Sequence, residues 1–180
     1  VIKPPKFLEY QKYPVLVHVY AGPQSPRARN RFDGPFYLWH QMLAQRGYVV
    51  VLLDNRSASF RNTRDIWPIH KQLGKSEMED LDAGMAWLTQ QSWVDSERIG
   101  LWGWSYGGYM TLYAMTHSKY FKVGISGAHV TDWKNYDAIY TERYMGLPRD
   151  NPKGYAESSV LSKADQLHGK LLLIHGMIDD

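Results

Sequence analysis

Residues 101–110 read LWGWSYGGYM, and this stretch decides the fold that the sequence predicts. An apolar run stops at Gly103, Ser105 sits between two aromatic residues, and Gly107 opens a stretch that favours a helix. The pattern G-x-S-x-G between a strand and a helix predicts a sharp turn that holds the serine hydroxyl above the edge of a sheet. Free N–H groups at the start of the helix favour negative charge beside it. A serine placed in this way is suited to attack a carbonyl group.

Continuous apolar runs bounded by turn residues predict buried strands. They cover residues 15–22, 48–54, 98–104, 122–128 and 170–176. Helical patterns lie between them at residues 35–47, 76–91 and 106–118. The first helix should end at Gly47, and the second opens with Ser76 and Glu79 at the spacing of a capping box.

Strands that alternate with helices predict a mainly parallel sheet with right-handed crossovers. A chain of 180 residues is long enough for one buried core. We therefore expect a single α/β domain over residues 1–180, with helices on both faces of the sheet. The G-x-S-x-G turn between a strand and a helix, with the other strands in matching order, predicts the α/β-hydrolase fold.

Composition excludes several classes of function. The chain is 44% hydrophobic and 22% charged, as in globular proteins, and its apolar stretches are too short for a transmembrane helix. A net charge of +3 without a long basic block gives no indication of nucleic-acid binding. The absence of cysteine excludes disulfides and thiolate chemistry. No residues show metal-ligand spacing or a phosphate-binding glycine loop, so we expect neither metal nor cofactor.

Three segments carry a family resemblance: VYAGP (19–23), GWSYGGY (103–109) and YDAIYTERYMGLP (136–148). Together they resemble the catalytic domain of the dipeptidyl peptidase IV group within the prolyl oligopeptidase family. The resemblance covers nearly all of the chain, and YTERYMG is its most specific part. It implies a serine peptidase that releases Xaa-Pro or Xaa-Ala dipeptides from peptide substrates through an acyl-enzyme. It also implies a possible homodimer and a possible periplasmic or other extracytoplasmic location.

The same resemblance implies roles for individual residues. Ser105 would be the acylated nucleophile, and Asp179, with Asp180 as its neighbour, matches the acid of the catalytic triad. The backbone N–H of Tyr106 and the hydroxyl of Tyr20 would form the oxyanion hole. A phenol suits this role because it donates a hydrogen bond to the oxyanion without carrying charge itself.

A pocket for the side chain before the scissile bond is implied by four further residues. They are Val130, Trp133, Tyr136 and Tyr140. The two tyrosines are four residues apart, one helical turn, so both rings can face one cavity. A slot walled by aromatic rings suits the compact, apolar ring of proline.

The predicted triad needs a histidine after Asp179, because the chain order in such folds is serine, acid, histidine. The sequence stops at Asp180, so we expect the catalytic histidine in a longer polypeptide that completes the fold at both ends. The isolated chain should be inactive, with residues 170–176 as an exposed apolar edge strand. In the family, acidic side chains that select dipeptides come from a propeller domain, which these residues do not include.

The histidines that are present are expected to be structural. We place His18 and His175 in strands and His40 in a helix. His129 follows the fourth strand and could approach the carboxyl edge of the sheet. The remaining histidines belong to polar surface segments, namely His70, His117 and His168.

Residues 54–60, DNRSASF, depart from the family pattern. Members usually carry a glycine-rich Asn- or Asp-x-Arg-Gly-Ser-x-Gly there, so the course of this loop is not fixed by the resemblance. Arg56 is retained and is interpreted as a loop anchor. We expect residues 54–75 to run over the surface near the carboxyl ends of the strands, where such sheets carry their sites.

Two other functions fit parts of the sequence. One is a broader serine hydrolase, such as an esterase or an acylaminoacyl peptidase, although VYAGP does not match the HGGG-type oxyanion motif usual in esterases. The other is a catalytically silent hydrolase-fold domain kept for binding. The intact GWSYGG segment and Tyr20 argue against a silent domain.

Overall fold

One parallel sheet forms the centre of the fold. The structure, a computed structural model, describes residues 1–32, 34–59 and 62–179. The sheet has five strands in the order β2-β1-β3-β4-β5, and every pair is parallel. The strands are β1 (Tyr13–Val19), β2 (Val49–Leu53), β3 (Val94–Trp104), β4 (Val123–Gly127) and β5 (Lys170–Ile174). The predicted sheet is confirmed, and only β3 starts well before its apolar run, because Val94 pairs with Tyr13 across an irregularity.

Five α-helices accompany the sheet in the described residues. They are α1 (Gly34–Gln45), α2 (Lys75–Leu88), α3 (Tyr106–His117), α4 (Ala138–Met145) and α5 (Pro152–Ser158). Short 3₁₀ segments cover Arg56–Ala58, Thr63–Asp65, Trp67–Ile69, Trp133–Asn135 and Val160–Gln166. The predicted stop of α1 is confirmed, because Gly47 has φ +90° and its N–H donates to the carbonyl of Ala44. None of these helices has the length and hydrophobicity that crossing a bilayer requires.

The start of α2 differs from the prediction. The helix begins at Lys75, Gly74 is its N-cap with φ +92°, and no side chain caps it. The hydroxyl of Ser76 instead donates to Glu77, at 3.1 Å. The predicted capping box of Ser76 and Glu79 is therefore wrong. The physical reason is burial, since the first turn of α2 packs inward and both Ser76 and Glu77 are almost inaccessible to solvent.

Side chains alternate between the two faces of the sheet. One face packs against α2 and α3 and forms the main core. This core includes Val15, Val17, Ile99 and Leu101 from the strands and Leu81, Met85, Met110 and Ala114 from the helices. Burying each large aliphatic side chain contributes about 1.5–3 kcal/mol. The opposite face carries α1, so the prediction of helices on both faces is confirmed.

An aromatic cluster joins α1 to the sheet. The ring of His18 stacks on Trp102 at 4.4 Å, and His40 of α1 lies 5.0 Å from His18. Both histidines are buried, in the strand and the helix where they were predicted. Burial lowers the pKa of His40 to about 4.

This buried histidine makes stability depend on pH. His40 is 2% exposed, and its folded pKa of about 4 lies below the roughly 6.5 of an unfolded chain. The unfolded state therefore binds more protons between these values, so stability is present above pH ~6.5 and is lost as pH falls towards 4. The loss attributable to His40 should reach about 3 kcal/mol at full titration.

Urea unfolding at pH 7 and pH 5, followed by tryptophan fluorescence, measures this loss in the natural full-length polypeptide that carries these residues. His40→Gln should lose less stability on acidification than the parent, because its side chain does not titrate. Burial also lowers the pKa of His117 and His129, so the parent-minus-variant difference isolates His40. His70→Gln, at an exposed histidine, is the matched control. An equal acid loss in parent and His40→Gln would contradict the prediction.

Residues 54–75 take a different course from the one predicted. Phe60 and Arg61 lie outside the described residues. The rest of the segment forms short 3₁₀ turns, but Ile69 and Leu73 are buried in the core, so the prediction of a surface path is wrong for this part. Arg56 acts as the predicted anchor, since its Nε donates to Asp80 of α2 at 2.9 Å.

The β5 edge of the sheet is apolar and exposed. Within the described residues β5 pairs with β4 alone. Its side chains Leu172, Leu173 and Ile174 are 53%, 54% and 42% exposed. The predicted exposed apolar edge at residues 170–176 is confirmed.

Candidate active site

Ser105 occupies the turn between β3 and α3. β3 ends at Trp104, α3 begins at Tyr106, and Ser105 between them has φ 59° and ψ −119°. This conformation is sparsely populated for a residue with a side chain and costs about 1–3 kcal/mol. The N–H of Ser105 donates to the carbonyl of Gly127 at the end of β4, at 2.9 Å. The strand, turn and helix predicted from G-x-S-x-G are therefore present.

The glycines of the motif are needed for close packing. A Cβ at Gly103 would lie 2.4 Å from the carbonyl oxygen of Gly107, and one at Gly107 would lie 2.3 Å from that of Val19. Neither position has room for a side chain. The start of α3 is thereby pressed against the ends of β1 and β3, which places Ser105 at the carboxyl edge of the sheet.

Positive φ angles recur around this edge. Outside glycine, Ala21, Ser105 and Ala128 have φ 63°, 59° and 42°. They follow β1, β3 and β4 respectively. Three neighbouring strands therefore end close to a left-handed residue at the edge where Ser105 lies.

Tyr20 and Tyr106, the predicted oxyanion residues, lie next to each other. Tyr20 follows β1 directly, and its ring centroid is 6.4 Å from that of Tyr106. The guanidinium of Arg27 lies over the Tyr20 ring at 4.3 Å. The carboxylate of Asp54 accepts hydrogen bonds at 2.8 Å from the N–H groups of Arg27 and Ala28, and this fixes the loop beside Tyr20. The backbone N–H of Tyr106 lies in the first turn of α3, where N–H groups have no partner within the helix.

The side chain of Tyr106 points into the core, away from solvent. Its hydroxyl donates to Oε1 of Glu77 in α2 at 2.5 Å, and both residues are buried. Burial raises the pKa of the Glu77 carboxyl, against hydrogen bonds from Tyr106, from the backbone of Glu77 and Gly74, and from Ser76. Burial, followed by the nearby Glu77, also raises the pKa of the Tyr106 hydroxyl.

Sequence analysis did not single out Glu77. The sequence did contain an indication of its burial. Glu77 lies four residues before Leu81 and eleven before Leu88, and this helical spacing places it on the same buried face of α2. A carboxylate on that face must find hydrogen-bond donors within the core.

Three of the four predicted pocket residues, Trp133, Tyr136 and Tyr140, form one aromatic cluster. The Tyr136 and Tyr140 rings meet edge to face at 5.7 Å, and Trp133 lies 5.8 Å and 6.0 Å from them. Trp133 is 1% exposed and also lies 5.4 Å from Tyr106. Burial raises the pKa of Tyr140, with smaller contributions from several groups including Tyr20. The cluster therefore adjoins both predicted oxyanion residues.

Tyr136 and Tyr140 do not share a helix, contrary to the one-turn spacing inferred from the sequence. Asp137 is the N-cap of α4, and its side chain accepts from the N–H of Tyr140 at 2.8 Å. Tyr136 lies before this cap, with φ −96° and ψ 167°. The two rings meet because the chain turns at Asp137.

Asp179 lies in the loop after β5, beside a cleft. The cleft is lined by residues that include Val130, Asp132, Tyr136, His175 and Asp179. Oδ2 of Asp179 is 3.3 Å from Nδ1 of His175, whose ring lies 5.1 Å from that of His129. The predicted acid and two predicted pocket residues thus share one cleft. Asp180 lies outside the described residues.

Two histidines that line this cleft, His129 and His175, can be compared with their predicted positions. His129 reaches the carboxyl edge of the sheet, as its place after β4 suggested. Burial and the neighbouring His175 lower the pKa of His129. His175 lies just beyond β5, which ends at Ile174, so its predicted place in the strand is wrong by one residue.

Comparison with known families bears on this arrangement. A model of the prolyl oligopeptidase family matches residues 36–180. The chain belongs to the prolyl oligopeptidase family. The family resemblance and the α/β-hydrolase fold inferred from the sequence are thereby confirmed.

Two relatives in sequence and one solved structure show how similar the chain is to named peptidases of the family. Dipeptidyl peptidase 8 of Mus musculus is 41% identical over 183 residues, which cover 99% of this chain and 20% of the relative. Prolyl endopeptidase FAP of Bos taurus is 39% identical over 185 residues, covering 100% of this chain and 24% of the relative. The crystal structure of Porphyromonas gingivalis dipeptidyl peptidase 4 superimposes with a TM-score of 0.92 at 42% identity, over 97% of this chain and 24% of that chain.

These relatives are named as two dipeptidyl peptidases and one prolyl endopeptidase. The chain spans between a fifth and a quarter of the length of these relatives. The catalytic roles of Ser105, Asp179, Tyr20 and Tyr106 stay predictions, which the geometry makes specific enough to test.

Proposed function

We propose that these residues form part of the catalytic domain of a serine peptidase that releases Xaa-Pro or Xaa-Ala dipeptides from the amino terminus of peptides. The observation that carries the proposal is the position of Ser105. It lies on a strained turn at the start of α3, with Tyr20 and Tyr106 beside it and an aromatic cluster next to them. The whole of residues 1–180 is assigned to one α/β-hydrolase domain.

In the proposed reaction, Oγ of Ser105 attacks the scissile carbonyl carbon and gives its proton to a histidine that follows Asp179 in the chain. The resulting oxyanion accepts hydrogen bonds from the N–H of Tyr106 and the hydroxyl of Tyr20. The histidine returns the proton to the leaving amine as the C–N bond breaks, and the dipeptide stays on Ser105 as an ester. Water, deprotonated by the same histidine, then hydrolyses the ester.

Specificity is assigned to the cleft between Asp179 and the aromatic cluster. Val130 and Tyr136 line this cleft, and Tyr136 contacts Tyr140 and Trp133. Trp133 is buried, so it supports the ring of Tyr136, which faces the cleft. Flat apolar walls exclude water around a proline ring while leaving little room for longer side chains.

Two further features rest on family resemblance alone. Selection of dipeptides needs groups that hold the free amino terminus, and we assign these to a propeller domain outside residues 1–180. A homodimer is proposed on the same basis.

The proposal is tested with the natural full-length polypeptide by comparing substrates. Gly-Pro-p-nitroanilide should be cleaved with a kcat/KM at least about 100-fold above that for Gly-Leu-p-nitroanilide, because a pocket shaped for proline misplaces the scissile carbonyl of a longer residue. Faster hydrolysis of p-nitrophenyl butyrate, without preference for proline, would support the broader esterase function instead. No turnover of any of these substrates would support the catalytically silent domain.

Removing one pocket ring tests where specificity resides. Tyr140→Ala should lower kcat/KM for Gly-Pro-p-nitroanilide about 100-fold, with KM raised and kcat reduced, because the proline loses a wall that orients its carbonyl. Tyr144→Ala is the matched control, since Tyr144 contacts Tyr140 but lines a separate cavity beside Trp67 and His70. Equal effects of the two substitutions would show that the pocket is assigned wrongly.

A further inference from the structure

Tyr106 has two separate connections to its surroundings. Its backbone directly follows Ser105, so its N–H is the predicted oxyanion donor. Its side chain leaves the site and enters the core, where it is 3% exposed. The position of the N–H therefore depends on what holds the buried ring.

Within the part of the chain that the structure describes, the Tyr106 side chain has a hydrogen bond that crosses to another helix. The hydroxyl of Tyr106 donates to Oε1 of Glu77 at 2.5 Å. Glu77 lies in the first turn of α2, is 1% exposed, and accepts a second hydrogen bond from Ser76 at 3.1 Å. A buried carboxylate that has lost water is held firmly by such donors, because moving away would leave it unpaired.

Aromatic rings also surround the Tyr106 ring, including that of Tyr20 at 6.4 Å. Tyr109 and Trp133 lie 5.5 Å and 5.4 Å from it. Such contacts keep the ring in the core, but they tolerate small shifts better than a short, directional hydrogen bond does. The hydrogen bond to Glu77 is thus the most directional restraint on the side chain.

Holding the Tyr106 side chain in place also restrains the strained turn at Ser105, which directly precedes it. Ser105 has φ 59° and ψ −119°, so the chain next to it can relax by rotating the peptide that carries the Tyr106 N–H. Fixing the Tyr106 side chain opposes that rotation. An oxyanion donor must already point at the developing charge, because reorienting it during the reaction raises the barrier.

We propose that Glu77 is a positioning residue of the active site: by accepting the hydrogen bond of the Tyr106 hydroxyl, it holds the Tyr106 backbone N–H in the direction that stabilises the oxyanion. The inference rests on the proposed serine peptidase function. It differs from a purely structural role for a buried carboxyl, which would affect stability but not the chemical step. A positioning role predicts a loss of kcat with KM nearly unchanged, since the oxyanion exists only after attack.

Two volume-conserving substitutions in the natural full-length polypeptide remove or weaken the same hydrogen bond from opposite sides. Tyr106→Phe removes the donor, and Glu77→Gln replaces the carboxyl acceptor by an amide. Each should lower kcat for Gly-Pro-p-nitroanilide about 10- to 100-fold, below the 10²–10³-fold typical of removing an oxyanion donor outright. KM should stay within about twofold. The double variant should be no slower than the slower single variant, because both changes break one interaction.

Tyr155→Phe is the matched control. Tyr155 is also a buried tyrosine, and its hydroxyl donates to the carbonyl of Gly146 at 2.8 Å, far along the chain from Ser105. It should lower the melting temperature by a similar amount and leave kcat unchanged. A kcat within twofold of the parent in either Tyr106→Phe or Glu77→Gln would overturn the inference, as would a double variant whose loss is the product of the two single losses. If one variant does not fold, the other decides.

Tyr20→Phe and Ser105→Ala, measured in the same series, separate this inference from the proposed function. Tyr20→Phe should lower kcat about 10²–10³-fold. If both of these variants turn over at the parent rate, the proposed function itself is wrong. If both lose activity while the Glu77 and Tyr106 variants do not, the function stands and the positioning role is wrong.

Discussion

Ser105→Ala is expected to lower kcat for Gly-Pro-p-nitroanilide about 10⁶-fold, the typical effect of removing the nucleophile of a serine peptidase. Without Oγ no ester can form, and only the residual catalysis by binding and the oxyanion hole remains. The same variant should not react with a fluorophosphonate probe, which phosphonylates activated serines. Initial rates and gel fluorescence of the natural full-length polypeptide measure both effects.

Ser126→Ala is the matched control for this substitution. Ser126 lies in the neighbouring strand β4, but its hydroxyl is buried and donates to the carbonyl of Gly108 at 2.9 Å. The Ser126→Ala variant should still react with the fluorophosphonate probe and should keep nearly all of the parent kcat. Labelling of Ser105→Ala at the parent level would place the nucleophile elsewhere.

Asp179→Asn is expected to lower kcat about 10⁴-fold. An acid in this role holds the catalytic histidine in the right tautomer and stabilises its charged form, whereas an amide favours the wrong tautomer. Asp179 lies in the loop after β5, and its carboxylate borders the cleft that also contains Val130 and Tyr136. KM should change little, because the effect is on proton transfer rather than on binding.

Two variants make the Asp179 result specific. Asp180→Asn, at the adjacent position, should keep activity, and a larger loss there than at 179 would exchange the two assignments. His175→Gln removes the group that lies 3.3 Å from the Asp179 carboxylate. A loss at His175 as large as that of Ser105→Ala would make His175 the base and contradict a histidine later in the chain.

The features that sequence predicted well depend on short stretches of chain. Continuous apolar runs predicted the strands correctly. A strand that is covered on both faces buries all of its side chains, so apolar and polar residues do not alternate along it. G-x-S-x-G gave the turn at Ser105 because its glycines are required by contacts with Gly107 and Val19. The proposed aromatic pocket rests on a family motif rather than on physical reasoning, and it stays a prediction.

The features that sequence missed depend on contacts between distant segments. Ser76 could have capped α2 in isolation, but packing of the first turn into the core moved the helix start and buried Glu77 beside Tyr106, 29 residues later. The segment around Ile69 and Leu73 was judged by its polar residues, although its few apolar ones determine its path. Local patterns carry no information about which partner a buried carboxyl will meet.

The left-handed turn at Ser105 has an evolutionary consequence. Relief of this backbone strain by glycine is worth about 1–3 kcal/mol, against an entropy cost of about 0.5–1 kcal/mol. Glycine would therefore be the more stable residue at position 105, whereas at Ala21 and Ala128, whose φ angles are also positive, nothing in the reaction forbids it. Selection for folding alone would drive the serine out of the turn. Under the proposed catalytic role, selection for catalysis keeps the serine, so a lineage that lost its substrate should lose this residue early and become more stable as it does so.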